Sequence, residues 1–436
     1  MSMINLPPGL LYTAVSAIRS SATGLSWLLN VPNSLFGLIS ALVCLLAAIV
    51  FHWMMKPSSV APRWNLPDLA ATVFVLLQLV TAFTGVLRSN VIHFMTPCAV
   101  AGCVYFSIRL FSKSSRMQTI VFRVAASFGL LLAIVDILLF ALGLENFRMF
   151  PRVDVAGLRA YFPLVGGYTH NDSLMVGLAL LPFALGCSAL ERGRNRWFLS
   201  IALLAATSLT TVMILSFSRS IYLALAVFLI GIVAIMKWHH VPSFRLVRTY
   251  GILAALFLIT AIGSFRVERS VLESLGNSTI SQQRSVRARI SIWQDTVRAI
   301  ERHPLLGTGG FSDGFESLAT LKDSPDHSFS ARSFNAPLEV MLSSGALGLL
   351  AYGAFLCGPI FAALSRSATV TREVVQIQLA AILTAGLIAL IVRDMFYTSI
   401  VLDGKTILIM WISIACLQNC LSVPVTATEA IDDHCE

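Results

Sequence analysis

Charge is scarce in this sequence. Of 436 residues only 12% are Asp, Glu, Lys or Arg, about half the share of an ordinary soluble domain. Hydrophobic residues make up 56% and the mean hydropathy is +0.80. That balance excludes a soluble enzyme, a disordered chain and a disulfide scaffold. Cysteine is present but not in a pairing pattern. Cys44, Cys98, Cys103, Cys187, Cys357, Cys416 and Cys420 fall in or beside apolar runs, and Cys435 lies in the tail. None lies in the long polar stretch, so no extracytoplasmic disulfide framework is expected. No Cys/His spacing fits a zinc site, so no metal or other cofactor is expected. The N-terminus lacks a basic segment ahead of a clean small-residue cleavage site, and no removed signal peptide is read there. No internal repeat relates the two halves, which counts against inverted-repeat transporters. The net charge of +9 does not point to nucleic acid, because membrane proteins collect Lys and Arg in cytoplasmic loops.

What the chain has instead is a series of apolar runs about twenty residues long. The expected fold is all-α: a polytopic membrane protein forming one integral-membrane domain over residues 1–436. Spans are read at about 35–54, 69–87, 91–110, 120–142, 174–190, 197–215, 220–236, 246–262, 338–362, 376–395 and 405–421. A further segment, 9–29, is long enough but carries Arg19 and several serines. A span and an interfacial helix both fit it; counted as a span, it makes about twelve helices with both termini cytoplasmic. One set of short loops is rich in cations, among them Arg109, Arg123, Arg192, Arg194, Arg196 and Lys237. The alternate set, with Arg88, Arg148, Arg152, Arg159, Arg219, Arg393 and Lys405, has fewer. The first set is therefore expected in the cytoplasm. The long loop 263–334, with short helices in it, is expected on the outer face. Long loops translocate largely regardless of charge.

Polar residues on that outer side come from three places. Ser218-Arg219-Ser220 sits in a very short connection. A charge near membrane depth suggests function, although a snorkelling anchor fits equally well. In the segment 281–304, Val286, Ile290, Trp293, Val297 and Ile300 recur at helical spacing, with Arg289 one turn before Trp293. Such a helix could lie on anionic headgroups. It could also present guanidinium groups to a pyrophosphate, whose oxygens they match in pairs. Last, Asn335-Ala336-Pro337-Leu338-Glu339 opens a helix containing Gly345 and Gly348. A helix start with packing glycines is an adequate account of it.

Taken in order, the three places resemble the O-antigen ligase and polymerase superfamily. The family shows Ser-Arg before a small-residue apolar helix, here Ser218-Arg219-Ser220. It then shows Arg-x-x-x-Trp, here Arg289 and Trp293, and a Pro-Leu-Leu-Gly-x-Gly turn, here Pro304 to Gly309 with Gly307 and Gly309. It closes with Asn-x-x-Leu-Glu and Gly-x-x-Gly, here Asn335, Glu339, Gly345 and Gly348. The resemblance covers roughly 174–360. One position departs: the family's His before the Asn is Phe334 here.

The resemblance implies a membrane glycosyltransferase of the inner membrane, working at the periplasmic face without a metal. Its donor would be a glycan on undecaprenyl pyrophosphate, attacked by a hydroxyl of a sugar acceptor. Arg219 and Arg289 match the pyrophosphate-binding arginines, which would neutralise the leaving group. No Asp-x-Asp-like pair stands on the outer face to hold a metal instead. The base stays open, with His327 first and His170 second. Lacking the His-Asn pair, the chain fits a polymerase of repeat units, for O-antigen or exopolysaccharide, better than a ligase to lipid A-core. Partners would be the lipid-linked glycan, the acceptor, the bilayer and a candidate chain-length regulator, with no nucleic acid. A lipid-glycan flippase is the rival of another class. It predicts broken polar helices at the midplane, and Asp136 is the notable mid-span charge. A structural subunit of an export assembly would leave the outer arginines dispensable.

Overall fold

A computed structural model describes residues 65–84, 91–111, 115–141, 170–215, 219–239, 278–309, 335–365, 374–396 and 404–422, with scattered positions between 39 and 49. The expected spans 9–29 and 246–262, most of 35–54, and most of the long loop lie outside these residues.

All regular structure among the described residues is helical. The helices are α1 (Leu66–Thr84), α2 (Val91–Phe111), α3 (Ser115–Ala141), α4 (His170–Leu190), α5 (Arg196–Leu215), α6 (Arg219–Trp238), α7 (Ser278–Arg302), α8 (Ala336–Ser365), α9 (Val374–Asp394) and α10 (Gly404–Ser422). Every one except α7 overlaps an expected span within a few residues. Among the described residues five are long and apolar enough to cross a membrane, those in α3, α5, α6, α8 and α9. The apolar cores of α1, α2, α4 and α10 are shorter.

The bundle is organised around α4 and α9. From Leu174 to Cys187 the apolar side chains of α4 are almost wholly buried, because α3, α5, α9 and α10 surround it. α9 packs on α4, α6, α8 and α10. In lipid, apolar helices gain little from burial alone, so close backbone approach through small residues does much of the work. Gly231 of α6 faces Ala385 of α9, and Gly386 of α9 faces Pro182 of α4 so closely that a Cβ there would collide. On the other flank α8 packs against α1 and α10 packs against α2. Trp411 of α10 meets Tyr105 of α2 and Phe355 of α8, with ring centroids 5.8 and 4.3 Å away.

Polar groups gather at the two ends. At one end Asn65 and Asp68 cap α1 reciprocally, Asn65 N–H donating to Asp68 and Asp68 N–H to Asn65. Asp68 also accepts two bonds of 3.0 Å from Arg109 and one of 2.7 Å from the Tyr105 hydroxyl. Arg109 reaches Asn419 of α10 at 2.6 Å. Nearby, Arg123 grips Glu191 with bonds of 2.7 and 2.9 Å and stacks on Phe198. Exposed Arg192, Arg194, Arg196 and Lys237 share this end, with Trp197 and Trp238 exposed beside them. Arg219 and Arg393 lie at the other end, where α8 begins. Among the described residues, the members of the two sets of loop cations thus fall at opposite ends of the bundle. His239, after α6, lies against Ala363 of α8 at 3.1 Å, whereas Ile300 of α7 packs on Leu342. Those points are about twenty residues apart along α8, or roughly 30 Å.

Candidate active site at the break in α8

Arg289 sits on α7, a helix whose polar residues would not pack in a bundle core. Its C-terminal part docks on α8: Ala299 and Ile300 cluster with Leu338, Met341 and Leu342. Thr296 is fully buried, its hydroxyl donating to the Ile292 carbonyl. The packed face therefore runs through Arg289, Trp293, Thr296 and Ile300, at spacings of four, three and four. This corrects the apolar stripe expected from sequence. Ile290 and Val297 are 46% and 43% exposed, on the flank of the helix beside that face. A buried threonine at one position shifted the stripe by about one residue. The shift brings Arg289 onto the α8 side, where it is only partly exposed.

The turn after α7 enters α8. Gly345 has φ 65° and ψ −166°, a conformation that interrupts the helix and is open essentially to glycine alone. The interruption should orphan the helical bonds that span Gly345, among them those from the Ala346 N–H to the Leu342 carbonyl and from the Leu347 N–H to the Ser343 carbonyl. The turn replaces both. Thr308 N–H donates to Leu342 at 2.8 Å and Gly309 N–H to Ser343 at 3.1 Å, while Ala346 N–H donates to Pro304 at 2.8 Å and Leu347 N–H to Leu305 at 3.4 Å. The Thr308 hydroxyl adds a second bond to Leu342. Backbone polar groups at membrane depth must be satisfied within the protein, and here one short turn meets that need. Gly307 and Gly309 have φ of 72° and 86°. A Cβ on Gly307 would strike the backbone of Ser343, and one on Gly345 the backbone of Leu305. The Pro-Leu-Leu-Gly-Thr-Gly and Gly-x-x-Gly motifs are thus two halves of one joint.

Asn335 is the N-cap of α8. Its side-chain oxygen accepts the Leu338 N–H at 3.0 Å, and its amide donates to the Met395 carbonyl at 3.1 Å, which ties the end of α9 to the start of α8. Two turns further on the buried side is Ser343; between them, in the first turn, Glu339 is 1% exposed. Arg393 and Asp394, in the last turn of α9, are 0% and 1% exposed. Sequence reasoning read Arg393 only as a loop cation and passed over Asp394. The signal was present: an Arg-Asp pair closing an apolar run, where ionisable residues are costly. The carboxylate of Glu339 near a helix N-terminus and the guanidinium of Arg393 near a C-terminus both suit the helix dipoles.

The remaining expected residues are less fully described. Arg219 is the first residue of α6 and His170 the first of α4; both backbones are at the same end as the start of α8, and their side chains lie outside the described residues. His327 and Phe334 lie outside them entirely. Among the described residues no group of three or more His, Cys, Asp and Glu could hold a metal.

Residues 201–353 match the family model for O-antigen ligase. That segment is similar to the O-antigen ligase family. The match runs from α5 through α6, α7 and the turn to the middle of α8, so it holds Arg219, Arg289, Trp293, both glycines of the turn, Asn335, Glu339 and the break. It supports the superfamily resemblance read from the motifs. No curated protein matches the chain. Within the matched segment, the broken α8 differs from a transporter's unwound helix in one respect. Transporters leave such backbone groups facing the cargo, whereas here the turn occupies four of the groups that the break frees.

Proposed function

We propose that this protein is a membrane glycan polymerase, joining repeat units carried on undecaprenyl pyrophosphate at the periplasmic face of the inner membrane, for O-antigen or exopolysaccharide. A hydroxyl of the acceptor sugar attacks the anomeric carbon of the donor. The new glycosidic C–O bond forms as the bond to the pyrophosphate oxygen breaks, and the hydroxyl proton passes to a base. His327 is the first choice for that base and His170 the second. Arg289 and Arg219 stabilise the charge that grows on the leaving pyrophosphate, in place of a metal. The observation that carries this reading is the placement of Arg289 on the α8-facing side of α7, above a turn built into the helix that carries Glu339.

The test is substitution of the two arginines. Arg219→Ala and Arg289→Ala should each cut glycan output at least about a hundredfold, the range seen when one transition-state charge partner is removed. Protein level and membrane insertion should match the unaltered protein. Normal output from either variant removes that arginine from the pyrophosphate site.

A ligase that moves a finished glycan onto lipid A-core is the second reading. The description of the matching family favours it, while Phe334 in place of the family His favours the polymerase.

A further inference from the structure

Gln78 lies in the middle of α1, between Leu77 and Leu79, and is 5% exposed. An amide in such a place is costly unless it is hydrogen-bonded. Its side-chain N–H donates to the Ser344 hydroxyl at 3.1 Å. Ser344 is the residue before the break in α8, and its hydroxyl donates in turn to the Val340 carbonyl at 2.9 Å. The hydroxyl is thereby oriented, with a lone pair presented to Gln78. Gly348 leaves the room for this: a Cβ there would fall on the Ser344 side chain. The second glycine of Gly-x-x-Gly therefore serves the hydroxyl, as the first serves the break. Ser344 is held from both sides, by α1 through Gln78 and by the turn through the adjoining Ser343 carbonyl.

We infer that Gln78 is a positioning residue for the transferase site, fixing the N-terminal segment of α8, with Glu339, against the turn and α7, with Arg289. This rests on the proposed transfer reaction. Gln78 stands outside the family-matched segment, so the inference ties that segment to a helix that the match does not reach.

The test compares purified Gln78→Leu, Ser344→Ala and the double variant with the unaltered protein, using lipid-linked oligosaccharide as donor. Two readouts are taken: kcat and KM for the donor, and amide exchange over 304–309 and 342–347. Gln78→Leu should lower kcat about tenfold or more, with KM changed less than about twofold and exchange in both segments accelerated. The double variant should add little to either single one, since both break the same bond. An unchanged kcat in Gln78→Leu overturns the inference. So does a loss of activity that only tracks the amount of folded protein, with exchange unchanged. If exchange accelerates but the unaltered protein transfers no glycan, the positioning stands and the proposed reaction fails.

Discussion

Gly345 and Gly307 are each required by a contact rather than by packing in general. Both hold positive φ, and at both a Cβ would meet backbone of the opposite partner. Gly345→Ala should therefore lower stability by roughly 1–3 kcal/mol for the conformation alone, more with the collision, and should release the turn. Thermal unfolding in detergent checks the first part and amide exchange at Thr308 and Gly309 the second. A nearby alanine substitution in open space, Gly353→Ala, is the control, since nothing lies within reach of a Cβ there. At this scale the sequence was informative about identity and silent about cause. Both glycines are visible as motif positions, Gly345 as a helix-packing residue and Gly307 as part of a turn, but the joint they make is not, because it needs two segments almost forty residues apart. Gln78 carried no signal at all. A single amide in an apolar helix becomes meaningful only when its partner, Ser344, is known. Arg393 and Asp394 were legible as charges ending a span, but nothing in their spacing says that they are buried beside the start of α8.

At the scale of elements, nine of ten described helices were legible as apolar runs, because a span's length and composition are set locally by the bilayer. The tenth, α7, was legible as amphipathic, but its face was misplaced. Periodicity weights apolar side chains, and the real contact face includes Arg289 and Thr296, whose hydroxyl is satisfied by its own helix. The start of α8 offers a direct check on how elements are joined. Asn335 both caps α8 and bridges to Met395. Asn335→Ala should cost about 1–2 kcal/mol, combining a lost cap with a lost bridge. Asn335→Asp, which keeps the cap and loses the amide donor, should fall between. Thermal unfolding of the two variants measures the difference, and equal stability of Asn335→Ala and the unaltered protein would remove the joint between α8 and α9.

For the whole molecule, the division of polar groups between the two ends of the bundle is the organising feature. One end is closed by internal ion pairs, Asp68 with Arg109 and Glu191 with Arg123. The other gathers Glu339, Arg393, Asp394, the α7 face and the starts of α4 and α6. Those pairs tie α1 to α2 and α3 to the end of α4 at the closed end, and the proposed chemistry lies at the opposite end, where α7 and its turn meet α8. The charge count in the sequence foresaw this division, since loop cations alternate along the chain. It could not foresee that Arg109 is paired inside and that Arg123, a third exposed, grips a buried carboxylate, because those carboxylate partners lie 41 and 68 residues away. The proposed role of this end is to join lipid-linked glycan units. The most direct measurement is the length of glycan on the undecaprenyl carrier after deletion of the gene in its host. A polymerase leaves single repeat units on the carrier and no long polymer, and long polymer returns with the unaltered gene but not with the Arg289→Ala form. Long chains held on the carrier would make the protein a ligase, and an unchanged distribution of carrier-linked and finished glycan would contradict the account outright.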